Sequence, residues 1–130
     1  MGQQQLLLIV LGVIIVGIAV VVGISVFTAS SSSSNQDAVI SDLQNIAANA
    51  QQWFRKPTGM GGGGNSFVGY TIPASMDTTA NGTYSIKTAG TATTIVFTGI
   101  GNQPGTKDPT GTVEVDMTVT STAQTATIVK

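Results

Sequence analysis

The sequence predicts an α+β fold in which a long N-terminal helix packs on a C-terminal four-stranded antiparallel β-sheet. Three observations predict it: an unbroken apolar run at the N-terminus, an amphipathic stretch after it, and alternating apolar and polar residues in the second half. The expected divisions are residues 1–34 for an apolar helix with a serine-rich hinge, 35–57 for an amphipathic helix, and 58–130 for a glycine-rich loop and a β head.

The composition excludes several classes of protein. Of the 130 residues, 42% are hydrophobic and only 8% are charged, and there is no cysteine and no histidine. Disulfide frameworks, thiolate nucleophiles and the usual zinc sites are therefore ruled out. A net charge of −1 provides no basic surface for nucleic acid. Glu114 and Asp116 share one strand face, as in a divalent-cation site, but such pairs are more often simply solvated. We expect no enzyme activity and no cofactor.

The apolar run extends from Leu6 to Phe27 and contains no charge and one polar side chain, Ser25. As a helix it would be ~33 Å long, enough to cross a hydrocarbon core of ~30 Å. A cleaved secretory signal is the alternative, but residues 1–5 carry no Lys or Arg and no clear A-x-A site follows the run. We therefore expect an uncleaved helix that spans a membrane or forms a filament core. The candidate assembly residues are Leu6, Leu7, Leu8, Val10, Leu11, Ile14, Ile15, Ile18, Val21, Val22 and Phe27.

A run of serines comes next and consists of Ser30, Ser31, Ser32, Ser33 and Ser34. Serine side chains compete for backbone hydrogen bonds, so this segment is predicted to be a hinge, a linker or a locally melted stretch of one long helix. Ser34 and Asp37 also fit a capping box, which predicts that the helix restarts here.

Residues 35–55 have the periodicity of an amphipathic helix. Arg55 and Lys56 at its end suit the helix dipole, and Pro57 stops it. The apolar positions recur every three or four residues and form one stripe: Val39, Leu43, Ile46, Ala47, Ala50, Trp53 and Phe54.

The segment Gly59–Ser66 (GMGGGGNS) is rich in glycine. It lacks the G-K-[ST] ending of a phosphate-binding loop and follows a helix rather than a strand. We expect a loop, or a close approach of its backbone to a neighbouring subunit.

From Thr83 onwards the pattern has period two. Four strands are predicted, and the clearest is Thr112–Thr120; the last covers about Thr125–Val129. The apolar side chains of the clearest strand are Val113, Val115, Met117 and Val119, and we expect the helical stripe to cover this face. The connections at Ala89-Gly90, Gly101–Gly111 and Ser121–Gln124 are rich in turn residues.

Asn81-Gly82-Thr83 carries two signals. Asn-Gly favours a tight hairpin, which could add a fifth strand near residues 67–72 or 74–79. The tripeptide also fits the N-x-[ST] acceptor pattern, so Asn81 is a candidate glycosylation site, and the serine run offers hydroxyls for O-linked sugars. The hairpin is the simpler explanation of Asn81.

An apolar helix that continues into an amphipathic half, then a loop and an antiparallel sheet, resembles the type IV pilin architecture. The resemblance covers essentially the whole chain and is one of architecture more than of motif. It implies a subunit that is inserted in the membrane before assembly and then forms an extracellular helical filament of identical copies, with the apolar helices inside and the β heads outside. It also implies processing after a glycine, for which Gly2 is the fitting position.

The chain departs from the pilin pattern at its N-terminus. Residues 1–5 contain no basic residue, and a cut after Gly2 would place Leu7 where bacterial members carry a Glu. A buried terminal amine without an acidic partner is costly, so we expect Met1 and Gly2 to remain in the assembled subunit.

The competing hypothesis is a monomeric, single-pass membrane-anchored β-domain protein that acts as an adhesin or sensor. Both hypotheses explain the apolar run. They differ over residues 35–55, because a simple tether needs no amphipathic helix there, whereas a pilin-like rod does.

Overall fold

The computed structural model describes residues 2–130, which form a long helix followed by an antiparallel sheet. Helix α1 spans Gly2–Arg55, and a 3₁₀ turn covers Thr58–Met60. The sheet is a meander in which neighbouring strands follow one another along the chain. The α+β class is confirmed, with five strands instead of the predicted four. The strands are β1 (Thr78–Thr79), β2 (Gly82–Thr88), β3 (Thr94–Pro104), β4 (Thr112–Thr120) and β5 (Gln124–Ile128).

The additional strand, β1, belongs to the hairpin predicted at Asn81-Gly82. Thr79 pairs with Gly82, so Ala80 and Asn81 form the two-residue loop, one position earlier than expected. Gly82 lies in β2, where a Cβ would come 2.2 Å from the carbonyl oxygen of Ile100. β1 lies within residues 74–79, one of the two places where the hairpin signal allowed a fifth strand. A strand of two residues is too short to produce an alternating pattern, so the periodicity alone predicts four strands.

Helix α1 is continuous through the serine run. The restart predicted at Ser34 is therefore wrong, because the residues before and after it are all helical. Each serine weakens a helix by only ~0.5 kcal/mol relative to alanine, which the surrounding helix tolerates. The chain nevertheless divides into two compact units between Ser31 and Ser32, inside this run. A hinge at this position stays a prediction.

The second unit, Ser32–Lys130, contains the hydrophobic core. The stripe on α1 packs with one face of the sheet, as expected, and the alternation along β4 is confirmed. Trp53 and Phe54 are partly buried at the margin of the core; the Trp53 ring lies edge-on to Tyr70, with centroids 5.6 Å apart. The fully buried large side chains are Phe67, Phe97, Leu43, Ile46, Ile95, Met117, Val39, Val113, Val115 and Val119.

The glycine-rich segment folds back onto the C-terminal end of α1. The backbone N–H groups of residues 62–65 donate to carbonyls of Pro57, Trp53, Lys56 and Phe54, at 2.7–3.1 Å. Carbonyl groups in the last turn of a helix have no partner within the helix, so this loop satisfies them. The segment is thus a loop, as predicted, and its close backbone contacts are with residues 53–57 of the same chain. A contact with a neighbouring subunit stays a prediction.

We expect Gly63→Ala to destabilise the second unit by about 1–3 kcal/mol, the usual cost of overpacking. A Cβ at residue 63 would lie 2.0 Å from the carbonyl oxygen of Ser66 and 2.5 Å from the Trp53 ring. Chemical denaturation of the full chain in detergent, followed by Trp53 fluorescence, measures the effect. Gly59→Ala is the matched control, because a Cβ there meets nothing within 4 Å. Equal unfolding midpoints for the two variants would contradict the loop packing.

Candidate assembly surface

The first unit, which the structure describes from Gly2 to Ser31, is an apolar helix exposed on every side. The exposed fraction of its large apolar side chains ranges from 52% at Leu11 to 72% at Phe27. Consecutive helical residues are ~100° apart, so exposure at every position from Leu6 to Leu11 places apolar groups all around the axis. All eleven predicted assembly residues belong to this surface. Ile9, Val13, Val16, Val20, Ile24 and Val26 extend it.

Such a surface must be covered by lipid or by protein. Fully burying one Val, Leu or Ile side chain contributes ~1.5–3 kcal/mol, so the helix as a whole gains on the order of tens of kcal/mol from a cover. α1 is long enough and apolar enough to cross a membrane. A secretory signal near the N-terminus can have the same length and composition.

The remaining predicted sites of the N-terminal region lie on α1. Gly2 is the first helical residue and is exposed, and Met1 lies outside the described residues. Ser32 is buried with 4% exposure, whereas Ser30, Ser33 and Ser34 are exposed and Ser31 is half-buried.

The second unit contains a polar cluster centred on the Asp42 carboxylate. Its Oδ2 accepts hydrogen bonds from the Tyr84 hydroxyl (2.6 Å), the Thr79 hydroxyl (2.8 Å) and Asn81 Nδ2 (3.0 Å). Burial pushes the pKa of Asp42 upward, but these three hydrogen bonds outweigh it and hold the pKa below its ordinary value. Burial and the bond to Asp42 raise the pKa of the Tyr84 phenol well above its usual range. The cluster ties α1 to the β1–β2 hairpin.

Asn81 is half-buried, and its side-chain nitrogen is the atom that would carry an N-linked glycan. That nitrogen donates to Asp42 in this structure. Glycosylation of Asn81 stays a prediction, and it would have to be accommodated within this cluster.

We expect Asp42→Asn to destabilise the second unit by about 1–3 kcal/mol, because hydrogen bonds to a charged acceptor are replaced by weaker ones. Since the folded pKa of Asp42 is depressed, its contribution is complete above the unfolded pKa near 3.9 and is lost as the pH falls through the folded value. Denaturation midpoints measured over a pH series that starts above the unfolded pKa and descends into acid should therefore fall for the native chain more than for the variant. Asp37→Asn, at an exposed position of the same helix, should change stability by less than ~0.5 kcal/mol. Identical pH profiles for native chain and Asp42→Asn would overturn the role of the cluster.

A second polar contact joins α1 to the sheet through Asn35. Its Nδ2 donates to the carbonyl oxygen of Asn81 at 2.9 Å, and its Oδ1 accepts from the backbone N–H groups of Asn102 (3.0 Å) and Gln103 (3.3 Å). The two hydrogen bonds that Oδ1 accepts lie in the part of β3 between Ile100 and Pro104, where the pairing register with β4 shifts. β3 thus continues past Gly101, where the sequence predicted the start of a turn. No sequence pattern identifies the contacts of Asn35 or Asp42, because their hydrogen-bond partners are distant along the chain.

The described residues form no large pocket at these contacts. The clefts beside Asp42 and Trp53 have volumes of about 110 and 170 Å³, below the ~300–1,000 Å³ of typical ligand pockets. Within residues 2–130, no group of three or more acidic side chains comes together that could hold a metal ion.

The architecture is pilin-like: a long N-terminal helix is apolar in its first part and packs on an antiparallel sheet through its last part. In comparisons with known proteins, no family model, no curated protein and no solved structure matches the chain. The description as pilin-like therefore rests on the arrangement of the helix and the sheet alone.

Proposed function

We propose that this chain is the structural subunit of an extracellular, type IV pilus-like filament that is assembled through residues 6–27. The observation that carries the proposal is the apolar first part of α1, which is exposed on all sides in the isolated chain. Before assembly lipid covers this helix, and in the filament the same helix of neighbouring copies covers it. The role is structural and requires no catalytic residue, cofactor or nucleic acid.

Two features of the chain favour a filament subunit over a tethered monomer. The amphipathic part of α1 supplies one side of the hydrophobic core of the second unit, whereas a simple tether needs no amphipathic helix there. The chain is also poor in charge, with 8% charged residues, so that packing against copies of itself requires little desolvation of ions.

Electron microscopy of material sheared from the cell surface tests the proposal. We expect thin filaments whose main component, identified by peptide mass spectrometry, is this chain with residues 6–27 retained. Recovery of the chain only from membranes, as a monomer in detergent, would support the membrane-anchored adhesin or sensor instead. A secreted chain that lacks residues 6–27 would contradict both.

The N-terminal peptide from the same material decides the processing question. We expect Met1 and Gly2 to be retained in it, because a new amine at Gln3 would have no acidic partner in the apolar part of α1: the first acidic residue of the sequence is Asp37. A terminal peptide that begins at Gln3 would show cleavage after Gly2, as in the pilin pattern.

A further inference from the structure

The dipeptide Asn81-Gly82 is the one place in the sequence where glycine follows asparagine. Such a dipeptide is chemically labile, because glycine has no Cβ to hinder the attack of its backbone nitrogen on the preceding side chain. The hairpin accounts for the dipeptide as a turn and leaves this reactivity unused. Asn81 is therefore a candidate site of spontaneous deamidation.

Deamidation would convert the side-chain amide of Asn81 into a carboxylate in two steps. The backbone nitrogen of Gly82 loses its proton and attacks Cγ of Asn81, which closes a succinimide ring. The Cγ–Nδ2 bond breaks, and ammonia leaves with the proton that Gly82 released. Water then opens the ring at one of its two carbonyls and leaves aspartate or isoaspartate at position 81. Overall, one water is consumed and one ammonia is released, without an oxidant or a reductant.

The fold holds the asparagine in place through three of its polar groups. Asn81 Nδ2, the nitrogen that would leave, donates to the Asp42 carboxylate at 3.0 Å. The Asn81 carbonyl oxygen accepts from Asn35 Nδ2 at 2.9 Å, and the Asn81 backbone N–H donates to the Thr79 hydroxyl at 3.2 Å. Because α1 provides two of these partners, the side chain is free to turn toward Gly82 only when the hairpin separates from α1.

The attacking nitrogen of Gly82 is held by the β1–β2 ladder. Tyr84 N–H donates to the Asp77 carbonyl at 2.7 Å, and the direction of N–H groups alternates along a strand. The N–H of Gly82, two residues earlier, therefore also faces β1, where Gly82 pairs with Thr79. Gly82 is buried, so water has little access to the proton that must be removed.

We propose that Asn81 deamidates when the β1–β2 hairpin separates from α1, and that the product weakens the return of the hairpin. An aspartate at position 81 would bring a second carboxylate to the point where Asn81 Nδ2 now donates to Asp42. A hydrogen bond is then replaced by a contact between like charges. Each separation that leads to reaction is thus recorded as an irreversible change in the chain. This inference goes beyond the filament role and does not depend on it, because it concerns the second unit alone.

Peptide mass spectrometry of the full chain, incubated in detergent at mildly alkaline pH, measures the rate of deamidation at position 81. We expect this rate to be lower in the folded chain than in guanidinium chloride. Asp42→Asn should raise the rate in the folded chain about tenfold, the factor that corresponds to one hydrogen bond to a charged group. Equal rates in the folded and the denatured native chain would overturn the proposal.

Gly63→Ala is the matched control for this variant. It is expected to destabilise the same unit to a similar extent, but its added Cβ would meet Ser66 and Trp53 rather than the Asp42 cluster. We expect it to leave the rate at Asn81 unchanged. Equal rates in Gly63→Ala and Asp42→Asn would overturn the proposal, because the reaction would then not depend on the contact between the hairpin and α1.

The variant Asn81→Asp carries one of the two products and tests the effect of the reaction. We expect it to lower the denaturation midpoint of the second unit more than Asn81→Ala, which removes the donor without adding a charge. The effect of Asn81→Asp should be smaller when Asp42→Asn is also present, because the contact between like charges is then absent. Strictly additive effects of Asn81→Asp and Asp42→Asn would overturn the second half of the proposal.

Discussion

Val16→Asp is expected to abolish filament assembly. Val16 lies in the middle of the apolar part of α1 and is 61% exposed in the isolated chain, so any cover of this helix meets its side chain. A carboxylate there would be buried without a partner, at a cost of about 2.5–3.5 kcal/mol in each copy even on the lenient scale for membrane helices. Electron microscopy of surface material from cells that express the variant measures the effect.

Two controls accompany this variant: an apolar substitution at the same position, and a measurement of the folding of the second unit. Val16→Leu keeps the position apolar and should give filaments at the native yield. The Asp variant should keep the native Trp53 fluorescence, because Trp53 belongs to the second unit and Val16 to the first. Normal filament yield from Val16→Asp would contradict burial of the helix in the filament.

Trp53→Ala is expected to cost the second unit ~3–5 kcal/mol, the range for removal of a large aromatic side chain from a core. Trp53 lies between the core and the glycine-rich loop, where it contacts Tyr70, and its carbonyl accepts the Gly63 N–H at 2.8 Å. Truncation leaves a cavity under the loop that caps α1. Since small domains are stable by only ~5–15 kcal/mol, this is a large fraction of the free energy of unfolding.

Thermal unfolding of the full chain in detergent, followed by circular dichroism of the β signal, measures this loss. Trp53→Phe retains an aromatic ring and should lower stability much less. An unchanged melting temperature for Trp53→Ala would mean that this side chain does not contribute to the core.

The helix and the sheet could be predicted because their signals are periodic. The stripe from Val39 to Ala50 repeats every three or four residues, and β4 alternates over its whole length, Thr112–Thr120. Both patterns arise from burial of one face, and here that face is the shared core. The two-residue strand β1 has no period, and the continuity of α1 through the serines depends on helix on both sides of the run. These two features therefore required the structure.

The polar contacts of α1 could not be predicted for a different reason. Asp42 and Asn35 lie on an amphipathic helix, where a polar residue normally faces water. Each finds its partners 37–68 positions further along the chain, in the hairpin and in the register shift of β3. Nothing local distinguishes these residues from exposed neighbours such as Asp37. The apolar surface of residues 6–27 needed no such long-range information, because its composition alone demands a cover.

Copies of the apolar helix are proposed to cover one another in an extracellular filament. A helical reconstruction by electron cryomicroscopy of filaments sheared from the cell surface would show this arrangement. We expect residues 6–27 of several neighbouring copies to pack together at the filament axis, with the β-sheets at the outer radius. Filaments whose core is formed by the sheets, or a chain found only as a detergent-solubilised monomer, would contradict it.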